Sequence, residues 1–260
     1  MTRSLCFSVD VDRDVNECVP GKVNAVSRGG GIRFTSSGSG TDSILDMLND
    51  IGMKATFFAE ARTLQNISAS FGNNEVSMHG LDHEDMTGEV SGIPLTEDEL
   101  NKIMQDSADI IKDHTGKAPE GFRAPYMRIN KRVTDVLSKY VRYDSSVYAT
   151  LNSTMHPYDT GSGMKEIPVP VASGKDGKKM YAYLWPMHEG KRGYEGYVKM
   201  ADAVKDGVLV IATHSWHMAE TISGGVMSPI QRQENADRVR KVLTGILDSG
   251  FRAARMSDVI

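Results

Sequence analysis

The chain has 260 residues, 40% hydrophobic and 25% charged, the make-up of an ordinary globular protein with room for a sizeable core. A formal net charge of −4 speaks against nucleic acid or an anionic membrane as the main partner, and no apolar run approaches the ~20 residues that span a bilayer. Cys6 and Cys18 offer no disulfide framework, and the apolar start ends at Asp10, too short for an export signal, so the chain reads as one cytoplasmic domain over residues 1–260.

Ser4 to Val9 reads as a buried first strand running into Asp10-Val11-Asp12. A polar, glycine-rich segment from Arg13 to Gly40 lacks the lysine–serine ending of a phosphate-binding loop and is expected to be a surface loop. Thr41 is positioned as an N-cap for a helix with Ile44, Leu45, Leu48 and Ile51 on one face and Gly52 at its stop. Lys54 to Ala59 is the second strand, Ala61 to Ser70 a helix, and Glu75 to Met78 a third strand that delivers His79. Thr96 to Glu99 forms a capping box for a helix closed by Gly116. Asn130 caps another helix, and Tyr140 to Tyr143 ends a strand at Asp144. Residues 147–200 carry no clear periodicity, although Ile167 to Val171, with two prolines, suits an edge strand. Val208 to Thr213 is a buried strand ending at His214, followed by an amphipathic helix with Val239, Val242, Leu243 and Ile246 and by a short strand at Phe251 to Ala254.

Strands alternating with helices indicate an α/β fold: an irregular (β/α) barrel of about seven parallel strands with its active site at their C-terminal ends. Asp10, Asp12, His79, Arg123, Asp144 and His214 all fall at such ends. His79 and His83, four residues apart, can aim both rings at one point, and imidazole is the commonest protein ligand of zinc-like metals. A catalytic site needs a third ligand from elsewhere in the chain.

Taken in order, these clusters resemble the five motifs of the polysaccharide deacetylase family, carbohydrate esterase family four. The segments are Ser8 to Asp12, His79 to His83, Thr115 to Tyr126, Tyr143 to Ser146 and Val210 to His214. Most members have adjacent aspartates in the first motif; here Val11 separates them, which resembles an intracellular subgroup with peptidoglycan-deacetylase-like and allantoinase-like members. The resemblance implies Asp12, His79 and His83 as ligands of a divalent metal, zinc foremost, with cobalt, nickel, manganese or iron as other candidates. It implies Asp10 as general base paired with Arg123, and His214 as general acid. Asp144 would hold the other nitrogen of the His214 imidazole, and the Tyr126 main-chain N–H would serve as oxyanion donor. Trp216 and Trp185 are candidate walls for a sugar or acyl group, while His156, His188 and His217 read as surface residues.

The expected activity is metal-dependent hydrolysis of a non-peptide amide, removing an acyl group, acetyl first, from an amino sugar. A cyclic amide or ureide hydrolase of the allantoinase type, which needs no metal, is the alternative, and a silent binding protein is a third reading. The expected partner is a small-molecule or oligosaccharide substrate, with no nucleic acid and no membrane insertion; a homo-oligomer is compatible with the sequence.

Overall fold

A computed structural model describes residues 2–174 and 177–260. Its centre is a run of seven parallel strands, in spatial order Lys165–Glu166, Tyr143–Asp144, Gly121–Phe122, Glu75–Met78, Thr56–Ala59, Arg3–Val11 and Asp206–His214. They curl into a half-barrel, the irregular α/β architecture expected from the alternation of strands and helices. Three short strands extend it: Thr154–Met155 and Arg252–Ala253 are parallel to their neighbours, and Tyr158–Asp159 is antiparallel.

The two longest strands lie side by side, and nearly continuous apolar sequence makes them the hub. Leu5, Cys6, Phe7 and Val9 in the first, and Leu209, Val210, Ile211 and Ala212 in the last, have no exposed surface. Strands covered on both faces carry such sequence because each fully buried Leu, Ile or Phe contributes about 1.5–3 kcal/mol. Asp10 pairs in register with His214 and with Phe58, so the first polar residues after the apolar run emerge together at one end of the sheet.

The helix expected from Thr41 begins six residues earlier and spans Thr35–Asp50. The cap comes from outside its own sequence: the Asp14 carboxylate accepts from the N–H groups of Ser36 and Ser37, while the Thr41 hydroxyl donates to the Ser37 carbonyl within the helix. Gly40 sits in this helix because a Cβ there would stand 1.9 Å from the Ser215 carbonyl oxygen. The remainder of the 13–40 loop contains a small hairpin, Asn16–Glu17 against Val26–Ser27.

The helix over Glu97–Thr115 has the expected reciprocal capping between Thr96 and Glu99, and it ends at Gly116 with φ of 74°. Asn130 caps Lys131–Leu137 through Val133 N–H. The segment after Ala61 is helical only to Leu64. Within 147–200 a separate three-stranded sheet forms from Tyr148–Thr150, Val169–Ser173 and Lys179–Tyr181, and the proline-containing strand lies in its middle instead of at an edge. Pro170 is accommodated because the ladder with Lys179–Tyr181 starts one residue later, at Val171. The final helix, Pro229–Asp248, buries Val239, Val242, Leu243 and Ile246. Among the described residues no helix is long and apolar enough to cross a membrane.

Candidate active site and metal centre

The C-terminal ends of the strands and the loops that follow them bring the charged residues into one cleft of about 190 Å³. Asp10, His79, His83 and His214 face it, with Tyr126, Tyr148, Tyr183 and Trp185 as walls. Asp12 and Arg123, both fully buried, stand behind them.

Asp12, His79 and His83 each direct one ligand atom to a common point, with those atoms within 4.8 Å of one another. His79 Nδ1–H donates to the Arg123 carbonyl at 2.7 Å, which leaves the Nε2 lone pair bare. His83 Nε2 is 3.3 Å from Asp12 Oδ2, and the Tyr126 ring packs edge-on against His83 at 4.6 Å between centroids. Burial above all drives the His79 pKa down to about 3 and the His83 pKa to about 4, so both rings are neutral at physiological pH. Burial also pushes the Asp12 carboxyl well above the ordinary range, and its buried Oδ1 has no hydrogen-bond partner among the described residues. A carboxylate and two neutral imidazoles, placed where no lysine or arginine among the described residues pairs with Asp12, match the donor set of a facial divalent-metal site. The residues fit the group.

Beside this cluster lies a carboxylate of opposite character. Burial opposes ionisation of Asp10, but Arg123, His79 and His214, together with a hydrogen bond from Tyr183, outweigh it and hold its pKa below the usual range. Arg123 Nη1 donates to Asp10 Oδ1 at 2.9 Å and Tyr183 Oη–H to Oδ2 at 2.6 Å; His214 Nε2 is 4.0 Å from Oδ2. The guanidinium is itself fixed by the Ser145 carbonyl and hydroxyl and by the Ser8 hydroxyl. Two aspartates two residues apart thus have different surroundings: one ion-paired, the other left for a cation.

The turn carrying Tyr126 is strained. Tyr126 and Met127 have φ of 60° and 56°, and His83 has 54°, the left-handed region that side chains other than glycine rarely adopt. The hydrogen bonds that close this turn run from Met127 N–H to Ala124 O and from Arg128 N–H to Pro125 O, and the Tyr126 N–H takes no part in them.

Two expected placements differ. Asp144 does not hold His214: its Oδ1 accepts from Ser145 N–H and the Ser146 hydroxyl, and it shares a hydrogen bond with the buried Glu166. The Ser146 hydroxyl accepts in turn from Ala124 N–H, so this motif braces the Arg123 loop. The reason is register, since Asp144 pairs with Phe122 and Glu166 on the far side of the sheet from His214. Trp216 does not line the cleft; it is buried beside His214 and His217, and Trp185 is the tryptophan at the wall. His188 and His217 are buried, unlike the exposed His156. Tyr183, Tyr148 and Asn16 were not singled out by the sequence. The alternation of Tyr181 and Tyr183 in the unpatterned segment was a signal for Tyr183 alone.

The half-barrel and its mouth define an α/β protein with a cluster of side chains that could hold a metal ion. Residues 35–142 match the family described as polysaccharide deacetylase, a span holding His79, His83, Arg123 and Tyr126, while Asp10, Asp12 and His214 join them through the fold. The match to that family covers this span of the chain, less than half of its length. It is 26% identical over 125 residues to a peptidoglycan deacetylase of Helicobacter pylori, covering 46% of this chain and 40% of that one. It is 26% identical over 147 residues to a bifunctional xylanase/deacetylase of Pseudobutyrivibrio xylanivorans, covering 54% of this chain and 22% of that one. The chain therefore spans well under two thirds of the length of either relative. Two solved structures share the fold at low identity. The Puue allantoinase has a TM-score of 0.61 at 16% identity, covering 99% of this chain and 88% of that one. A Bacillus anthracis pseudoenzyme of carbohydrate esterase family four has 0.57 at 14%, covering 99% and 67%.

Proposed function

We propose that this chain is a metal-dependent N-deacetylase of amino-sugar substrates. The observation that carries the reading is the convergence, in one cleft, of the Asp12–His79–His83 donor set with the ion-paired Asp10 and with His214. Asp12, His79 and His83 would hold the ion, zinc in the first instance. When bound, it supplies Lewis acidity toward the amide carbonyl and lowers the pKa of water in the site.

Asp10, kept ionised and aimed by Arg123 and Tyr183, takes a proton from the attacking water as the new C–O bond forms. The Tyr126 main-chain N–H, which takes no part in the turn's own hydrogen bonds, serves as donor to the developing oxyanion. His214 delivers a proton to the departing nitrogen as the C–N bond breaks, giving acetate and the free amine. Trp185 and Tyr148, at the wall, offer aromatic faces to the sugar ring.

The alternative, a cyclic amide hydrolase working without metal, shares the fold of the allantoinase but leaves the buried Asp12 Oδ1 without a role. The test is acid release from N-acetylated amino sugars and their oligomers set against ring opening of cyclic ureides. Each is run after chelation and after zinc is restored. Acetate release that disappears on chelation and returns with zinc is expected. Ureide turnover indifferent to chelation contradicts the proposal.

A further inference from the structure

Asn16 lines the cleft and reaches back four residues, where its Nδ2–H donates to Asp12 Oδ2 at 2.5 Å. Among the described residues this is the only side-chain hydrogen bond that Asp12 accepts. His83 Nε2 lies 3.3 Å from the same oxygen, and the buried Oδ1 has no hydrogen-bond partner. A carboxylate with one oxygen held and the other free is fixed in rotation yet still open to a cation.

The backbone that places Asn16 is strained and heavily tied. Val15, buried and β-branched, has φ of 43°, a conformation in which such a residue is an outlier. Strain of this kind persists only where the surroundings over-determine it, and it collects at ligand clamps. Arg13, fully buried, donates from its backbone N–H to Glu60 Oε2 at 2.8 Å, from Nε to Glu60 Oε1 at 2.9 Å and from Nη1 to the Ala25 carbonyl at 2.5 Å. Asp14 is engaged with the N–H groups of Ser36 and Ser37, and the Val15 carbonyl accepts from Arg28 N–H at 2.9 Å. Asn16 then enters the hairpin with Val26–Ser27.

The same ties reach the loop of a second candidate ligand. Arg13 Nη2 donates at 3.1 Å to Oδ1 of Asp82, the residue before His83, and Asp85 N–H donates to the Val23 carbonyl at 2.8 Å. The segment after Asp12 and the loop carrying His83 therefore form one braced unit, and Asn16 is where that unit meets the Asp12 carboxylate.

We propose that Asn16 is a positioning residue for the metal centre, holding the Asp12 carboxylate in the orientation that brings its ligand atom within 4.8 Å of those of His79 and His83. This rests on the metal site of the deacetylase reading and not on its substrate.

Calorimetric titration of the metal-stripped full chain with zinc reads the effect without turnover. Asn16→Leu keeps the side-chain volume and removes the donor, and its zinc affinity is expected to fall about 10- to 100-fold, the usual scale for an outer partner of a ligand. Cobalt(II) in place of zinc serves as a spectroscopic probe, and its visible band is expected to change in Asn16→Leu. Arg28→Ala breaks the 2.6 Å pair with Glu17 on the same hairpin without touching Asp12, and is expected to leave affinity and band unchanged.

Unchanged zinc affinity or an unchanged cobalt band in Asn16→Leu would overturn the proposal; unchanged affinity with a raised KM would make Asn16 a substrate contact instead. An equal loss in Arg28→Ala would also overturn it, because the hairpin's fold and not the amide would then be responsible. A wild type that binds no zinc defeats the metal reading and this inference with it. A wild type that binds zinc more tightly than Asn16→Leu, yet releases acetate from no amino sugar, defeats the deacetylase reading and leaves this one standing.

Discussion

Asp10 and Asp12 are chemically identical and two residues apart, and the contrast between them is made by their neighbours. Arg123 and Tyr183 surround one; the other meets neutral imidazole and an amide from Asn16. Removing one hydroxyl tests this. Tyr183→Phe leaves Asp10 with Arg123 but without its 2.6 Å donor, so the Asp10 pKa rises. The group must be ionised to accept a proton, and the acid limb of kcat/KM is therefore expected to move to higher pH. The pH-independent plateau should fall about tenfold, in keeping with loss of one charge-assisted hydrogen bond. A pH–rate profile checks both; an unmoved acid limb would exclude Tyr183 from the base's surroundings.

At this scale the sequence was largely legible. Asp10, Asp12, His79, Arg123 and His214 stand where apolar runs end, and a polar residue after a buried strand has little choice but the barrel mouth. Tyr183, Glu166 and Glu189 were not legible, because each reaches its partner from a segment with no periodic pattern.

Among elements, the junction between the helix Thr35–Asp50 and the turn Trp216–Met218 sets how closely the last strand's loop can approach the first helix. That junction explains why the sequence-based helix start at Thr41 was late: two glycines and several serines look like loop, but the glycine at 40 is required by contact with Ser215, and Asp14 supplies the cap from 22 residues before Ser36. Gly40→Ala is expected to destabilise the protein by about 1–3 kcal/mol, the range for overpacking a close contact. Gly38→Ala, where a Cβ would meet only the Ile67 side chain at 3.3 Å, should cost far less. Thermal melts of the two variants make the comparison; equal losses would mean the helix can shift away from Ser215.

For the molecule as a whole, the acid side of stability carries a readable contribution from His188. Its ring is buried between Asn235 Oδ1 and the Thr213 hydroxyl, and burial lowers its pKa to about 4. Below the unfolded value of about 6.5 the unfolded chain takes up a proton that the folded ring does not, so this contribution is lost as pH falls from about 6.5 toward 4. A shift of this size is worth on the order of 3 kcal/mol. His188→Gln, which keeps donor and acceptor atoms but cannot titrate, is expected to flatten the fall in Tm over that window relative to the wild type. Parallel Tm–pH profiles would contradict it. The parallel sheet was equally legible in outline, since alternation of strand and helix predicts one, whereas the three-stranded sheet within 147–200 was not, because its strands are short and its pairing long-range.

The account stands or falls on a cation held by Asp12, His79 and His83. Calorimetric titration of metal-stripped protein with zinc is the most direct measurement. One ion per chain is expected for the wild type, with affinity lowered at least tenfold in Asp12→Asn and in His79→Ala. No binding by the wild type, or equal affinity in all three proteins, would contradict it.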